Sequence, residues 1–71
     1  MTHDEMVIID FLSGSPDTFF SRKEISRRAA KRADYEASPR WADPALASLV
    51  GRGVLETDDR GCFRLKKGAI L

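Results

Sequence analysis

The sequence predicts an α+β protein in which helices are followed by a β-hairpin. Two observations lead to this class. Apolar residues recur at helical spacing up to Val50, and Gly53 supplies the left-handed residue that ends a helix. The period then changes, because residues 54–57 and 62–66 are typical of short strands. We therefore expect three helices and a two- to three-stranded antiparallel sheet, with the hairpin at residues 54–66.

The size and composition fit one domain over residues 1–71. The longest apolar run, residues 6–9, is too short to cross a membrane. The N-terminus opens on Thr-His-Asp-Glu after the first methionine rather than on basic residues, so we expect no signal peptide. Because the single cysteine, Cys62, cannot form an intramolecular disulfide, a reducing, cytoplasmic setting is expected.

The first helix is expected over about residues 3–13. Thr2 and Glu5 have the spacing of a capping box, in which each side chain accepts a hydrogen bond from the other residue's backbone N–H. Gly14 ends the pattern. Residues 17–20 then favour a brief extended segment, which would pair with the hairpin as a third strand.

A second capping box, Ser21 with Glu24, begins the second helix. Its two faces follow from a rotation of about 100° per residue. The stripe expected to be buried consists of Ile25, Ala29 and Ala33. The stripe expected to face solvent consists of Lys23, Arg27 and Lys31.

The third helix has two alternative starts. Ser38 and Asp43 are each an N-cap residue followed by a proline. The second proline, inside a helix begun at the first, would lose a hydrogen bond, so we place the start near Asp43. Tyr35 and Trp41 are expected to pack beneath the connection. The face of this helix expected to be exposed consists of Pro44, Ala45, Ala47, Ser48, Gly51 and Arg52.

Alternation assigns the two faces of the hairpin. The residues expected to face the helices are Leu55, Phe63 and Leu65. The residues expected to face outward are Glu56, Cys62, Arg64 and Lys66. The turn is expected to be of type I, with Gly61 at positive φ. The tail, residues 67–71, either frays or docks its Ile70-Leu71 pair on a partner chain.

Charge is unevenly distributed along the chain. Residues 22–32 hold six cations and one anion, a local charge of +5, so the rest of the chain carries −4 against a net charge of +1. Such asymmetry indicates either a polyanionic partner or an ordinary solvated helix face.

The order helix, short strand, basic helix, turn, helix and hairpin resembles the winged helix-turn-helix family. The sequences that carry the resemblance are Leu49-Val50-x-Arg52-Gly53-Val54-Leu55 and Gly61-x-Phe63-Arg64-Leu65. The resemblance implies that the third helix enters the major groove of DNA, the second crosses near the backbone, and the hairpin, or wing, touches an adjacent groove or phosphate. A small transcriptional regulator or accessory factor that binds duplex DNA is the function it implies.

Candidate contact residues follow from this docking. The side chains expected on backbone phosphates are Arg22, Lys23, Arg27, Lys31, Arg60 and Arg64. The chain contains no Asn or Gln, the usual readers of adenine, so the candidate base contacts are Arg40, Ser48 and Arg52. The acidic residues Asp58 and Asp59 at the wing tip would be repelled by phosphate. Binding is therefore expected to rely mainly on phosphate contacts.

A different class of function stays open. Winged domains also serve as protein-interaction modules, and the neutral third helix would suit a protein surface. A homodimer or another protein partner is compatible with either function. The sequence predicts no enzyme, cofactor or metal site, because His3 stands alone and Cys62 has no histidine partner at catalytic or zinc-ligand spacing.

Overall fold

A computed structural model describes residues 2–66, in which four helices and three short strands follow one another. In chain order they are α1 (His3–Ser13), β1 (Phe20–Ser21), α2 (Arg22–Ala29), α3 (Arg32–Ala37), α4 (Asp43–Gly51), β2 (Leu55–Thr57) and β3 (Cys62–Leu65). The α+β class and the single small antiparallel sheet are confirmed. The predicted number of three helices is wrong, because a short additional helix, α3, precedes α4. The predicted tail contacts lie outside the described residues.

The sheet has the order β1-β3-β2, with both pairings antiparallel. Leu55 pairs with Leu65 across the hairpin. Phe20 pairs with Phe63, which confirms the third strand predicted from residues 17–20 at the last of these residues. The backbone N–H of Gly61 donates to the carbonyl of Asp58 at 3.1 Å. The φ of Gly61 is 77°, which confirms the glycine turn.

The core lies between the helices and one face of the sheet. Its buried residues are Ile8, Ile9, Leu12, Phe20, Ile25, Ala42, Ala45, Leu46, Leu49 and Leu55. Phe63 and Leu65 pack against this cluster, which confirms the predicted inner face of the hairpin. Arg64, on the outer face, is paired across the strands with Glu56.

The first two predicted helix starts are confirmed by their N-caps. Thr2 and Glu5 form the complete capping box of α1. The hydroxyl of Ser21 accepts from the backbone N–H of Glu24 at 3.1 Å and caps α2. The predicted capping box is only half formed, because the Glu24 carboxylate accepts from the Ser21 hydroxyl at 3.5 Å and not from the Ser21 backbone N–H. Serine and threonine caps of this kind typically stabilise a helix by about 1 kcal/mol.

The second helix is shorter than predicted. It ends at Ala29, and Ala30 is extended, with φ −98° and ψ 161°. Lys31 is the N-cap of α3, and Ala33 is exposed rather than buried. If α2 continued straight, the following residues would move away from its first turns. The break at Ala30 instead lets residues 34–41 fold back, so that the indole of Trp41 reaches the backbone of α2.

The last helix begins at Asp43, close to the predicted start, and the alternative start at Ser38 is wrong. The predicted N-cap role of Asp43 is also wrong, because the N-cap is Ala42 and Asp43 is the first helical residue. Pro44 lies in its first turn, where a backbone N–H has no helical partner to lose. Ala45 is buried, contrary to prediction, because it shares the inner face with Leu46 and Leu49. Gly53 has φ 76° and ends the helix in the predicted left-handed conformation. Among residues 2–66, no helix has the length and apolar character needed to span a membrane.

Candidate functional site

The arginine and lysine side chains of residues 2–66 fall into two groups, those that pair with a carboxylate and those that do not. Five ion pairs lie within residues 2–66: Arg22–Asp43 at 3.3 Å, Arg28–Glu24 at 3.5 Å, Arg32–Glu36 at 2.9 Å, Arg52–Glu5 at 3.0 Å and Arg64–Glu56. The remaining described cations have no carboxylate within 4.0 Å among those residues. They are Lys23, Arg27, Lys31, Arg40, Arg60 and Lys66, and all six are exposed.

Three of these cations line clefts that one tyrosine also lines. Tyr35 of α3 lines a cleft of about 250 Å³ together with Lys23 and Arg40, and a second cleft together with Arg27. We call Lys23, Arg27, Arg40 and Tyr35 the basic surface. It combines two predicted phosphate contacts with a predicted base contact, because α3 and the turn after it fold back against α2.

A buried serine holds the parts of the basic surface together. Ser26 of α2 is only 1% exposed, and its hydroxyl donates to the carbonyl of Pro39. The indole Nε1 of Trp41 donates to the backbone carbonyl of Ser26 at 2.8 Å. Arg40 lies between these two attachment points, so its backbone is fixed next to α2. Sequence reasoning missed this role of Ser26, since a single serine in an amphipathic helix carries no signal of a distant partner.

Lys31 lines neither cleft of the basic surface. It lines a groove of about 630 Å³ between α1 and α3, whose apolar wall includes Val7, Ala29 and Trp41. The prediction of a continuous stripe of Lys23, Arg27 and Lys31 is therefore wrong, because the helix that would align them ends at Ala29.

Two of the predicted base contacts are bound to a buried carboxylate. Glu5 is 3% exposed, and its Oε2 accepts from the hydroxyl of Ser48 at 3.1 Å and from Nη1 of Arg52 at 3.0 Å. The backbone N–H of Thr2 donates to Oε1 and is the main cause that lowers the pKa of Glu5 from 4.5 to about 2. Burial opposes this shift, whereas the hydroxyls of Thr2 and Ser48 and the charge of Arg52 add to it.

The hairpin offers few free donors. The guanidinium of Arg64 lies over the ring of Phe19, 4.4 Å from its centroid, and is paired with Glu56. Arg60 is exposed at the turn, but its backbone N–H donates to Asp58, whose carboxylate lies beside it in the same turn. The structure thus places the predicted wing contact Arg64 against the protein and leaves Arg60 next to acidic neighbours.

The exposed face of α4 is neutral. Pro44, Ala47 and Gly51 are exposed, and an apolar cleft of about 450 Å³ separates this face from Phe63 of the hairpin. Arg22 and Asp43, which are bound to each other, lie at its rim. Among residues 2–66, this side of the molecule therefore presents small side chains and no unpaired charge.

Metal-binding chemistry has no support in the part of the chain that the structure describes. No group of three or more His, Cys, Asp or Glu side chains lies together there. Long cations around a tyrosine, on the other hand, provide donors for anionic oxygen atoms. No protein-family model, curated protein or solved structure matches the chain.

Proposed function

We propose that this protein binds duplex DNA through the backbone phosphates, using the basic surface, and that it acts as a small winged-helix regulator or accessory factor. The observation that carries the proposal is the position of Lys23, Arg27 and Arg40, three exposed cations that share one side of the molecule and have no carboxylate partner among residues 2–66. Such cations are the usual contacts of phosphate oxygens.

Local helix electrostatics support an external anion. Lys23 occupies the first turn of α2. The partial positive charge of the helix N-terminus disfavours a cation there by roughly 0.5 kcal/mol. Arg22, in the same turn, has Asp43 to offset this cost. Lys23 has no such partner within the described residues, and a bound phosphate would supply one.

The composition of α4 supports a mainly sequence-independent contact. Its exposed face offers Pro44, Ala47 and Gly51 instead of the Asn, Gln or Arg side chains that read base edges. Ser48 and Arg52 are held by Glu5. Small residues allow the helix to approach DNA closely, while the basic surface supplies the attraction.

The test compares two double charge reversals. Lys23→Glu with Arg27→Glu changes the basic surface, and Lys31→Glu with Lys66→Glu changes two exposed lysines elsewhere. Each variant takes the net charge from +1 to −3, so any difference between them reports position rather than total charge. Random-sequence duplex is titrated from about 50 mM to about 200 mM salt.

We expect salt-dependent binding by the wild type, a loss of at least about tenfold in the first variant and a much smaller loss in the second. Absence of salt-dependent binding by the wild type would contradict DNA binding. Equal losses in the two variants would contradict the basic surface as the contact.

A second candidate, a winged-helix protein-interaction module, is favoured by one observation. The cleft between α4 and the hairpin is lined mainly by apolar and small side chains, among them Leu46, Ala47, Val50 and Phe63. An Ala47→Arg substitution would fill it with charge. If the cleft binds a protein, a stoichiometric partner purified with the wild type is lost with this variant, whereas the Lys23→Glu, Arg27→Glu variant retains it.

A further inference from the structure

We infer that the cleft between α2 and the turn before α4 holds a single backbone phosphate, which makes Arg40 a phosphate contact and not a reader of base edges. The inference rests on the proposed function and specifies how the basic surface engages DNA. We call this cleft, lined by Arg22, Lys23, Ser26, Tyr35, Pro39 and Arg40, the phosphate cleft.

The charges of the phosphate cleft favour an anion. Three of its six lining residues are cations and none is a carboxylate. Asp43 pairs with Nη1 of Arg22 at 3.3 Å from outside this lining set, and the arginine side chain remains 43% exposed. Lys23 and Arg40 have no anionic partner within residues 2–66 and repel each other. A phosphate between them removes this repulsion and accepts from both side chains.

The cleft is built by buried contacts rather than by mobile surface side chains alone. The Ser26 hydroxyl holds the carbonyl of Pro39, and the Trp41 indole holds the carbonyl of Ser26. These two hydrogen bonds fix the backbone on either side of Arg40. Fixing the backbone of Arg40 in the free protein lowers the backbone entropy that would otherwise be lost on binding.

The size of the cleft favours a phosphate over a whole nucleotide. Its volume of about 250 Å³ lies below the roughly 300–1,000 Å³ of pockets that enclose small organic ligands. Its lining is polar, apart from the rings of Tyr35 and Pro39, and offers no apolar slot for a base. A tetrahedral anion on a strand that continues past the cleft satisfies both constraints.

The first experiment titrates the protein with inorganic phosphate and follows the amide and side-chain N–H signals by NMR. We expect saturable shifts at Lys23 and Arg40, and their loss in the Lys23→Ala and Arg40→Ala variants. Lys66→Ala is the matched control, because Lys66 is also exposed and has no carboxylate within 4.0 Å among residues 2–66, but it does not line the cleft. Shifts that do not saturate, or that survive in Arg40→Ala, overturn the phosphate cleft.

The second experiment measures binding of Arg40→Ala to two duplexes, one containing only A·T pairs and one containing only G·C pairs. A phosphate contact predicts the same loss on both, about tenfold at low salt, and a salt slope smaller by about 1. A loss confined to the G·C duplex identifies Arg40 as a base reader and overturns the inference.

The two proposals fail in different ways. If the wild type binds both duplexes and Arg40→Ala weakens binding no more than Lys66→Ala, the phosphate cleft is wrong and the proposed function stands. If the wild type binds neither duplex, DNA binding is wrong, and the assignment of the cleft to a DNA phosphate fails with it.

Discussion

The two oxygens of Glu5 serve different helices: Oε1 accepts from the backbone of Thr2 and caps α1, whereas Oε2 lies 3.0 Å from Nη1 of Arg52 at the end of α4. One buried carboxylate thus connects the first and last helices. Because Ser48 also donates to Oε2, the connection depends on the ionised form of Glu5.

The first prediction concerns the acid stability that Glu5 provides. Its folded pKa of about 2 lies below the usual 4.5, so its contribution is complete above pH 4.5 and is lost as the pH falls towards about 2. We expect Glu5→Gln to lower the urea midpoint of unfolding at neutral pH. The difference from the wild type should shrink between pH 4.5 and about 2.

Fluorescence of Trp41, the single tryptophan, reports unfolding in this experiment because its side chain packs against the core. The control is Asp10→Asn on the exposed side of α1. If the difference in urea midpoint between the wild type and Glu5→Gln stays constant down to about pH 2, the role assigned to Glu5 is contradicted.

The second prediction concerns the buried hydroxyl of Ser26. Ser26→Ala removes the hydrogen bond to Pro39, which should lower the free energy of unfolding by about 1 kcal/mol. In a domain of this size that corresponds to a decrease of roughly 4–8 °C in Tm. Under the proposed function, DNA affinity should also fall although no charge is changed, since the backbone at Arg40 is released.

Ser13→Ala is the matched control for Ser26→Ala. The Ser13 hydroxyl donates to the carbonyl of Ile9 in its own helix and is exposed, so both stability and DNA affinity should change little. If Ser26→Ala lowers stability and DNA affinity no more than Ser13→Ala does, the hydrogen bond between Ser26 and Pro39 contributes to neither.

The parts of the fold that follow from local interactions could be predicted from the sequence. The Thr2 and Ser21 caps bind backbone groups three residues away, and the positive φ of Gly53 and Gly61 is a property of single residues. Alternation in the hairpin likewise places Leu55 and Leu65 on one face through the period of two.

The parts that were not predictable depend on partners distant in the sequence. Ala30 has good intrinsic helix propensity, so nothing local indicates that the helix ends before it. The break is linked to the contact between Trp41 and Ser26, which are 15 residues apart. The sequence predicts Glu5 as part of a cap, but its second oxygen accepts from Ser48, 43 residues away. Periodicity carries no information about such contacts.

The third prediction compares two neighbouring glycines. Gly51 is the last residue of α4, and a Cβ built there meets nothing within 4 Å, so Gly51→Ala should stabilise the protein by about 0.5–1 kcal/mol. At Gly53 a Cβ also meets nothing within 4 Å, but φ is +76°. Gly53→Ala should therefore destabilise by about 1 kcal/mol through the backbone alone.

The opposite signs are the critical feature of this pair, because both substitutions add the same methyl group. Thermal unfolding of the two variants beside the wild type measures them. Gly53→Asn should lower the free energy of unfolding by less than Gly53→Ala does, because asparagine tolerates the left-handed region better. If Gly51→Ala and Gly53→Ala shift Tm in the same direction, the assigned end of α4 is contradicted.

The last prediction separates base reading from structure at the end of α4. The Ser48 hydroxyl and the Arg52 guanidinium both bind Oε2 of Glu5, so Ser48→Ala and Arg52→Ala should each raise the pKa of Glu5 and lower Tm. If these side chains do not read bases, the folded variants should retain the wild-type ratio of affinities for A·T and G·C duplexes. NMR titration of the Glu5 carboxyl and the two affinities provide the measurements. A changed affinity ratio with an unchanged Glu5 pKa would instead assign the two side chains to the DNA groove, as their positions in the sequence alone suggest.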